Sequence, residues 1–169
     1  MLARFEAMQS TRQRGQVLVL ALAGIAPGVA WAAHEMLGLH LRPGLWTGWA
    51  SGIWAWIWVL ALAPALEELV MRPLLQSGFR EQLGRLGGIH WSRPERAGDW
   101  HGHLANGATA LVFAALHLPA NELLTVWWLV PALAIGEVWR RGGKWAMCAL
   151  LHAWFNACLV LATVLGSPG

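Results

Sequence analysis

"PALEELVMRPLLQ", residues Pro64 to Gln76, is the stretch that decides how this chain is read. It closes a run, Pro43–Leu66, that holds no charged residue, and then brings in Glu67, Glu68 and Arg72 together. Such a run suits lipid, but carboxylates do not. A charged side chain at the bilayer centre costs roughly 2.5–3.5 kcal/mol even on the lenient insertion scale. Two adjacent acids at the end of an apolar segment therefore need either partners or a chemical task.

Working outward, the composition agrees with a membrane setting. Of 169 residues, 57% are hydrophobic and 12% charged, against about 25% charged in a soluble domain. Further apolar runs are Gly15–Ala33, Leu104–Ala120, Leu123–Gly136 and Trp145–Gly169. A helix needs roughly 17–25 mostly apolar residues to cross a bilayer. Three runs meet that readily. The two that flank Pro119 and Glu122 are shorter, and are expected to extend into their flanks or to cross tilted. The expected fold is an all-α polytopic bundle of about five transmembrane helices, with residues 1–169 forming a single integral membrane domain. Ala30-Trp31-Ala32 has the A-x-A form of a signal cleavage site, but the apolar part is long for a signal segment. A retained first helix is expected.

Basic residues set the expected orientation. Arg4, Arg12 and Arg14 precede the first run, and Arg72, Arg80, Arg85, Arg93 and Arg96 follow the second. Arg140, Arg141 and Lys144 lie between the fourth and fifth, whereas the opposite connections hold only Arg42. Five spans with a cytoplasmic N-terminus put every basic cluster on one side. The net charge of +3 is thus a positive-inside signature and no sign of nucleic-acid binding. The expected location is a bacterial-type inner membrane. The stretch 80–96, broken by Gly84, Gly87, Gly88 and Pro94, reads as an irregular connection able to touch anionic headgroups.

Thirteen tryptophans accompany no tyrosine. Trp46, Trp91, Trp100, Trp139 and Trp145 fall near run ends, where an indole N–H can stay at the headgroups. Trp49, Trp54, Trp56 and Trp58 lie inside a run and serve packing or lipid contact. Cys148 and Cys158 are ten apart on one expected helix, about 15 Å along its axis, too far for a disulfide.

Polar residues inside the runs carry the functional argument. With Ser77, Asn106 and Lys144 as cytoplasmic helix ends, Glu67, His117 and His152 lie at depths of about 15, 16 and 12 Å. One carboxylate and two imidazoles then share a level. Glu68 and Arg72 are spaced i,i+4 and can pair on one face, while Glu67 points about 100° away. His152 and Asn156 share a face, as do Phe113 and His117. Pro119 ends or kinks its helix just after His117, and Pro64 favours a local opening before Glu67. Glu137 is one turn from the 140–144 basic cluster and can reach water there. The histidines of "HGH", 101–103, read as surface histidines in a loop. Each pair alone has a bland reading, a boundary salt bridge or an interhelical hydrogen bond. Three such pairs at compatible depth argue for a site.

In order, Glu67-Glu68-x-x-x-Arg72, Phe113-x-x-x-His117 and His152-x-x-x-Asn156 resemble the CPBP family of intramembrane endopeptidases. That family includes the CAAX-processing Ras-converting enzyme and the Abi (bacteriocin-processing or immunity) proteins. The likeness covers about residues 60–160, and "RPLLQ" and "HLP" add to it. It implies a glutamate protease that cleaves membrane-associated proteins, with a sorting-tail branch, the JDVT-CTERM system, containing similarly short members. Glu67 matches the acid that activates water with His117. His152 and Asn156 match the oxyanion pair, and Glu68 and Arg72 the supporting charge pair, with Phe113 beside them. The implied substrate is a membrane-anchored protein with a C-terminal hydrophobic segment. Five spans is fewer than the eight expected of larger relatives, which brings in a homo-oligomer or a partner to complete the groove.

Elementary chemistry fits those roles. A carboxylate can take a proton from water as general base, and an oxyanion needs preorganised donors, which an Asn amide and a His N–H supply. Water must then reach a polar cavity. Two rivals stand beside this reading. Two histidines and a glutamate are a known catalytic zinc set, but HExxH is missing and the likeness implies no cofactor. The other is a non-catalytic immunity or scaffold protein that keeps the cluster for helix packing.

Overall fold

The computed structural model describes residues 2–38, 52–86, 100–121 and 126–166. The protein is all-helical, and among the described residues there are five helical rods. These are α1 (Leu2–Leu37), α2 (Ile53–Leu86), α3 (Trp100–Asn121), α4 (Leu129–Arg140) and α5 (Trp145–Gly166). Three of them contain segments long and apolar enough to cross a membrane: Gly15–Leu37, Ile53–Leu86 and Trp145–Gly166. With 12 residues, α4 is only about 18 Å long, short of the roughly 30 Å hydrocarbon core. The Leu123–Gly136 run thus yields a 3₁₀ turn at 126–128 and a short helix carried on to Arg140.

The core is built from small residues. Ala26, Ala30 and Ala33 of α1, Ala105, Ala110 and Ala114 of α3, Ala132 of α4 and Ala149 and Ala162 of α5 are buried. Large aliphatic side chains such as Leu20, Leu111, Leu150 and Val164 face outward. Water-soluble helices do the reverse. Where lipid is the solvent, close backbone approach supplies the association energy, and small residues permit it. α5 is central, packing on α1, on the middle of α2 and on α4, while α3 packs on α4 and on the later part of α2.

Prolines inside the rods shape these contacts. Pro27 lies within α1 and has no N–H for the carbonyl of Ala23 one turn earlier. The Trp154 indole of α5 donates to that carbonyl at 2.9 Å. The first helix is thereby tied into the bundle.

Several sequence expectations need correction. Residues 77–86 continue α2 as an α-helix, so Ser77 is no helix end and the first part of the 80–96 stretch is not irregular. Arg85 and Glu81 pair along that exposed turn, the kind of i,i+4 support that carries a helix past Gly84. The rest, 87–99, lies outside the described residues, as do Arg42, Trp46, Trp49 and Trp91. Asn106 is likewise internal to α3, which begins at Trp100. His101 and His103 therefore sit in its first turn, not in a loop; His101 stacks on Trp100 with centroids 3.8 Å apart, and His103 is exposed. Nor does Pro119 end α3, which runs on to Asn121. Cys148 and Cys158 are both free and buried, as their spacing requires.

Between α4 and α5 the chain turns sharply. Gly142 N–H donates to Trp139 O and Gly143 N–H to Val138 O, both at 3.0 Å. This pair of bonds is the Schellman cap, and Gly142 adopts the positive φ of 81° it needs.

Candidate active site

The site is assembled on an irregular stretch of α2. Trp58–Leu62 and Val70–Gln76 are π-helical, and Ala63–Leu69 between them is α-helical. A π turn shifts the hydrogen-bond partner by one residue, so Ala63 N–H bonds Trp58 O. Val59 O would next look to residue 64, but Pro64 carries no N–H. The Asn156 amide of α5 donates to Val59 O at 2.9 Å. The opening expected before Glu67 exists, and Asn156 is what it receives.

One turn further on, Glu68 and Arg72 are 1% and 0% exposed. Every nitrogen of the Arg72 guanidinium is engaged. Nε donates to Glu68 Oε2 at 2.6 Å, Nη1 to Gln76 Oε1 at 2.9 Å and Nη2 to Ala132 O at 3.3 Å. Gln76 Nε2 in turn donates to Gly136 O at 3.0 Å, and Asn106 Nδ2 of α3 to Leu133 O at 3.0 Å. Three side chains from two helices thus clamp the carbonyl face of α4. The clamp demands Gly136: a Cβ there would fall 1.8 Å from Asn106 Oδ1 and 2.7 Å from Arg72 Nη1.

His152 of α5 sits between the two glutamates. Its Nδ1 lies 3.0 Å from Glu68 Oε1, and its Nε2 lies 3.7 Å from Glu67 Oε2. An ionised carboxylate can only accept, so Nδ1 is the donor toward Glu68 and Nε2 is the nitrogen turned to Glu67. Glu67 differs from its neighbour in being 34% exposed. Phe113 of α3 lies between the two imidazoles. Its ring centroid is 4.4 Å from that of His117 and 5.6 Å, edge-on, from that of His152. His117 Nδ1 donates to Phe113 O at 2.8 Å. His117 is within electrostatic reach of Glu67.

Glu67, Glu68, Arg72 and His152 are therefore brought into direct contact, with Phe113 and His117 alongside and Asn156 one turn from His152. The arrangement departs from the sequence reading in two ways. His152, which the resemblance pairs with Asn156 as an oxyanion residue, is bonded to Glu68, which joins it to the Arg72 clamp. The cavity beside it, about 10 Å³, is lined by Glu68, Phe113, Trp128, His152, Phe155 and Asn156 and not by Glu67 or His117. That is space on the scale of one water. Among the described residues no three His, Cys, Asp or Glu side chains are grouped so as to hold a metal ion.

A model of the type II CAAX prenyl endopeptidase Rce1-like family matches residues 47–158. The chain belongs to that family. The matched segment includes Glu67, Glu68, Arg72, Phe113, His117, His152 and Asn156. No curated protein and no solved structure matches the chain. As an Rce1-like protein with three strongly apolar helices, it is a membrane protein of a protease family.

Sequence reasoning missed Gln76, Asn106 and Gly136. Gln76 was visible, four residues beyond Arg72 and so on the same helix face. Asn106 and Gly136 reach the clamp only through the packing of α3 on α4, and no spacing in the sequence announces them.

Proposed function

We propose that this Rce1-like protein is a glutamic-type intramembrane endopeptidase in which Glu67 is the general base. The observation that carries the reading is the split between adjacent acids. Glu68 is spent on Arg72 and His152, whereas Glu67 is partly exposed and faces a His152 nitrogen 3.7 Å away. That separation is too long for a direct hydrogen bond, and a water seated against both groups is within reach of each.

In the proposed reaction Glu67 takes a proton from this water as its oxygen attacks the substrate carbonyl. His117, through Nε2, orients the same water. The negative charge that moves onto the carbonyl oxygen is met by the Asn156 amide proton not used on Val59 O. His152 Nε2 donates as well when both ring nitrogens carry protons. Glu67 then returns its proton to the leaving amine nitrogen as the C–N bond breaks, which closes the proton balance. Glu68 and Arg72 orient His152, and Phe113 spaces the two imidazoles. No metal enters this scheme.

The proposed substrate is a membrane-anchored protein with a C-terminal hydrophobic segment, a sorting or processing tail. The proposed setting is a bacterial-type inner membrane, crossed several times with the N-terminus in the cytoplasm. The family's prenyl endopeptidase description adds a prenylated CAAX peptide as a second probe.

The test compares Glu67→Gln with the parent protein in membranes. Two probes are used, a farnesylated CAAX peptide and an unprenylated peptide with a small-residue motif, an apolar helix and a basic end. The substitution is expected to lower cleavage by roughly 10²–10⁴-fold, the usual contribution of a general base, at unchanged protein level. Normal cleavage by the variant would remove Glu67 from the mechanism.

A further inference from the structure

Trp128 is 8% exposed, and its indole Nε1 is buried without a hydrogen-bond partner among the described residues. Buried donors are nearly always satisfied, and in lipid no water compensates one that is not. Tryptophans in membranes usually sit where the N–H can reach the headgroups; this one is enclosed. Its ring centroid is 5.6 Å from that of His117, so the indole ring borders the candidate site.

Trp128 borders two spaces. One is the small cavity that it shares with Glu68, His152 and Asn156. The other is an apolar groove of about 100 Å³ between α1, α4 and α5, lined by Ile25, Val29, Pro131, Phe155 and Leu159 with Trp128. Trp128, Pro131 and Phe155 are common to both. The rim residues Ile25 and Val130 are 57% and 51% exposed, so the groove is open to the surroundings of the bundle. A lipid chain lying in it offers no acceptor along its length, whereas an extended peptide offers a carbonyl at every residue.

We propose that Trp128 is a substrate-positioning residue whose indole N–H donates to a backbone carbonyl of the substrate, with a neighbouring apolar substrate side chain held in the α1–α4–α5 groove. This rests on the protease reading above and adds to it a way in for the polypeptide from the lipid side. It also explains why an unsatisfied donor is retained: the partner arrives with the substrate.

The test uses binding as well as cleavage, so that the two readings can fail separately. The unprenylated tail peptide described above is bound to Glu67→Gln protein in lipid nanodiscs, with Trp128 intact or changed to Phe. Removing the N–H while keeping an aromatic ring is expected to weaken binding about fivefold, within the range of one neutral hydrogen bond. In the Glu67 background the same change is expected to raise KM by a similar factor with kcat little altered. Because no internal hydrogen bond is lost, any fall in heat resistance is expected to reflect only the smaller ring. Replacing Trp128 by 3-benzothienylalanine, which keeps the bicyclic shape and lacks the N–H, repeats the measurement if the Phe variant folds poorly. Equal binding by the N–H-free and parent proteins would overturn the proposal, as would failure of the Trp128-bearing protein to bind the peptide. Binding that depends on Trp128 without any cleavage would leave this inference standing and remove the protease reading.

Discussion

Glu67 and Glu68 are neighbours in the chain and opposites in the fold. Glu68 belongs to a closed region, where Arg72, Gln76 and the Asn106 amide N–H bond one another or the carbonyls of α4 with almost no exposure. Glu67 belongs to a more open region beside His117 and Trp128, where it is partly exposed and 3.7 Å from His152 Nε2, and where the Trp128 Nε1 has no partner among the described residues. The difference follows from about 100° of helix rotation. It teaches that a buried charge whose every valence is used is holding structure together.

The most severe way to break the closed region is to remove its cation. Arg72→Met leaves Glu68 buried beside a carbonyl and an amide oxygen with only His152 as a partner. Breaking one side of a buried pair typically costs about 3–5 kcal/mol. The expected result is a large loss of folded protein in membranes, read by detergent-resistant thermal unfolding. A variant as stable as the parent would show that the clamp is not structural. Glu68→Gln belongs to the same region and is expected to lower stability and activity together, in contrast to Glu67→Gln.

A smaller disturbance reaches the clamp from α4. Gly136→Ala inserts a methyl where Asn106 and Arg72 already lie, and overpacking of this kind costs roughly 1–3 kcal/mol. Lower heat resistance with the binding order of tail peptides unchanged is expected. A shift of peptide preference without destabilisation would mean that α4 touches substrate directly.

The weakest expected effect lies at the basic end of α4, beyond the apolar run. Glu137 pairs with Arg140 and Arg141 at 2.6 and 2.7 Å. Chiefly through the Arg140 hydrogen bonds, its carboxyl is lowered from 4.5 to about 2. A depressed carboxyl contributes stability that is present above its unfolded value and is lost as pH falls through the folded one. Glu137→Gln is therefore expected to flatten the loss of stability between about pH 4.5 and pH 2. Near neutral pH it should cost no more than about 1 kcal/mol, as half-exposed pairs do. Acid unfolding curves of the two proteins check this, and a large neutral-pH effect would extend the closed region to the helix end.

Much of this was legible before any coordinates. The helical class follows from charge-free runs of membrane length, and the six polar motif residues stand out because lipid makes each of them costly, with Phe113 marked only by its spacing to His117. The Glu68–Arg72 pair follows from i,i+4 spacing, and the free cysteines from a ten-residue separation. Helix ends were less legible. Ser77 and Asn106 look like boundaries by polarity, yet helices continue through both. The Ser77 hydroxyl bonds the Arg72 carbonyl of its own helix, and the Asn106 amide reaches Leu133 O of α4.

What the sequence by itself determined is the inventory: which residues are too polar for their surroundings, and on which helical face each one lies. Periodicity and solvation cost are local properties, so they can be read along the chain. Only the tertiary structure decided the partners. It gave His152 to Glu68, sent Asn156 to the carbonyl that the π turn and Pro64 release, and made Gly136 indispensable. Among the described residues it also left the Trp128 N–H without a partner beside His117. Those outcomes depend on how α2, α3, α4 and α5 approach one another across tens of residues. Small-residue packing permits many such approaches, and the mutual satisfaction of buried polar groups selects one.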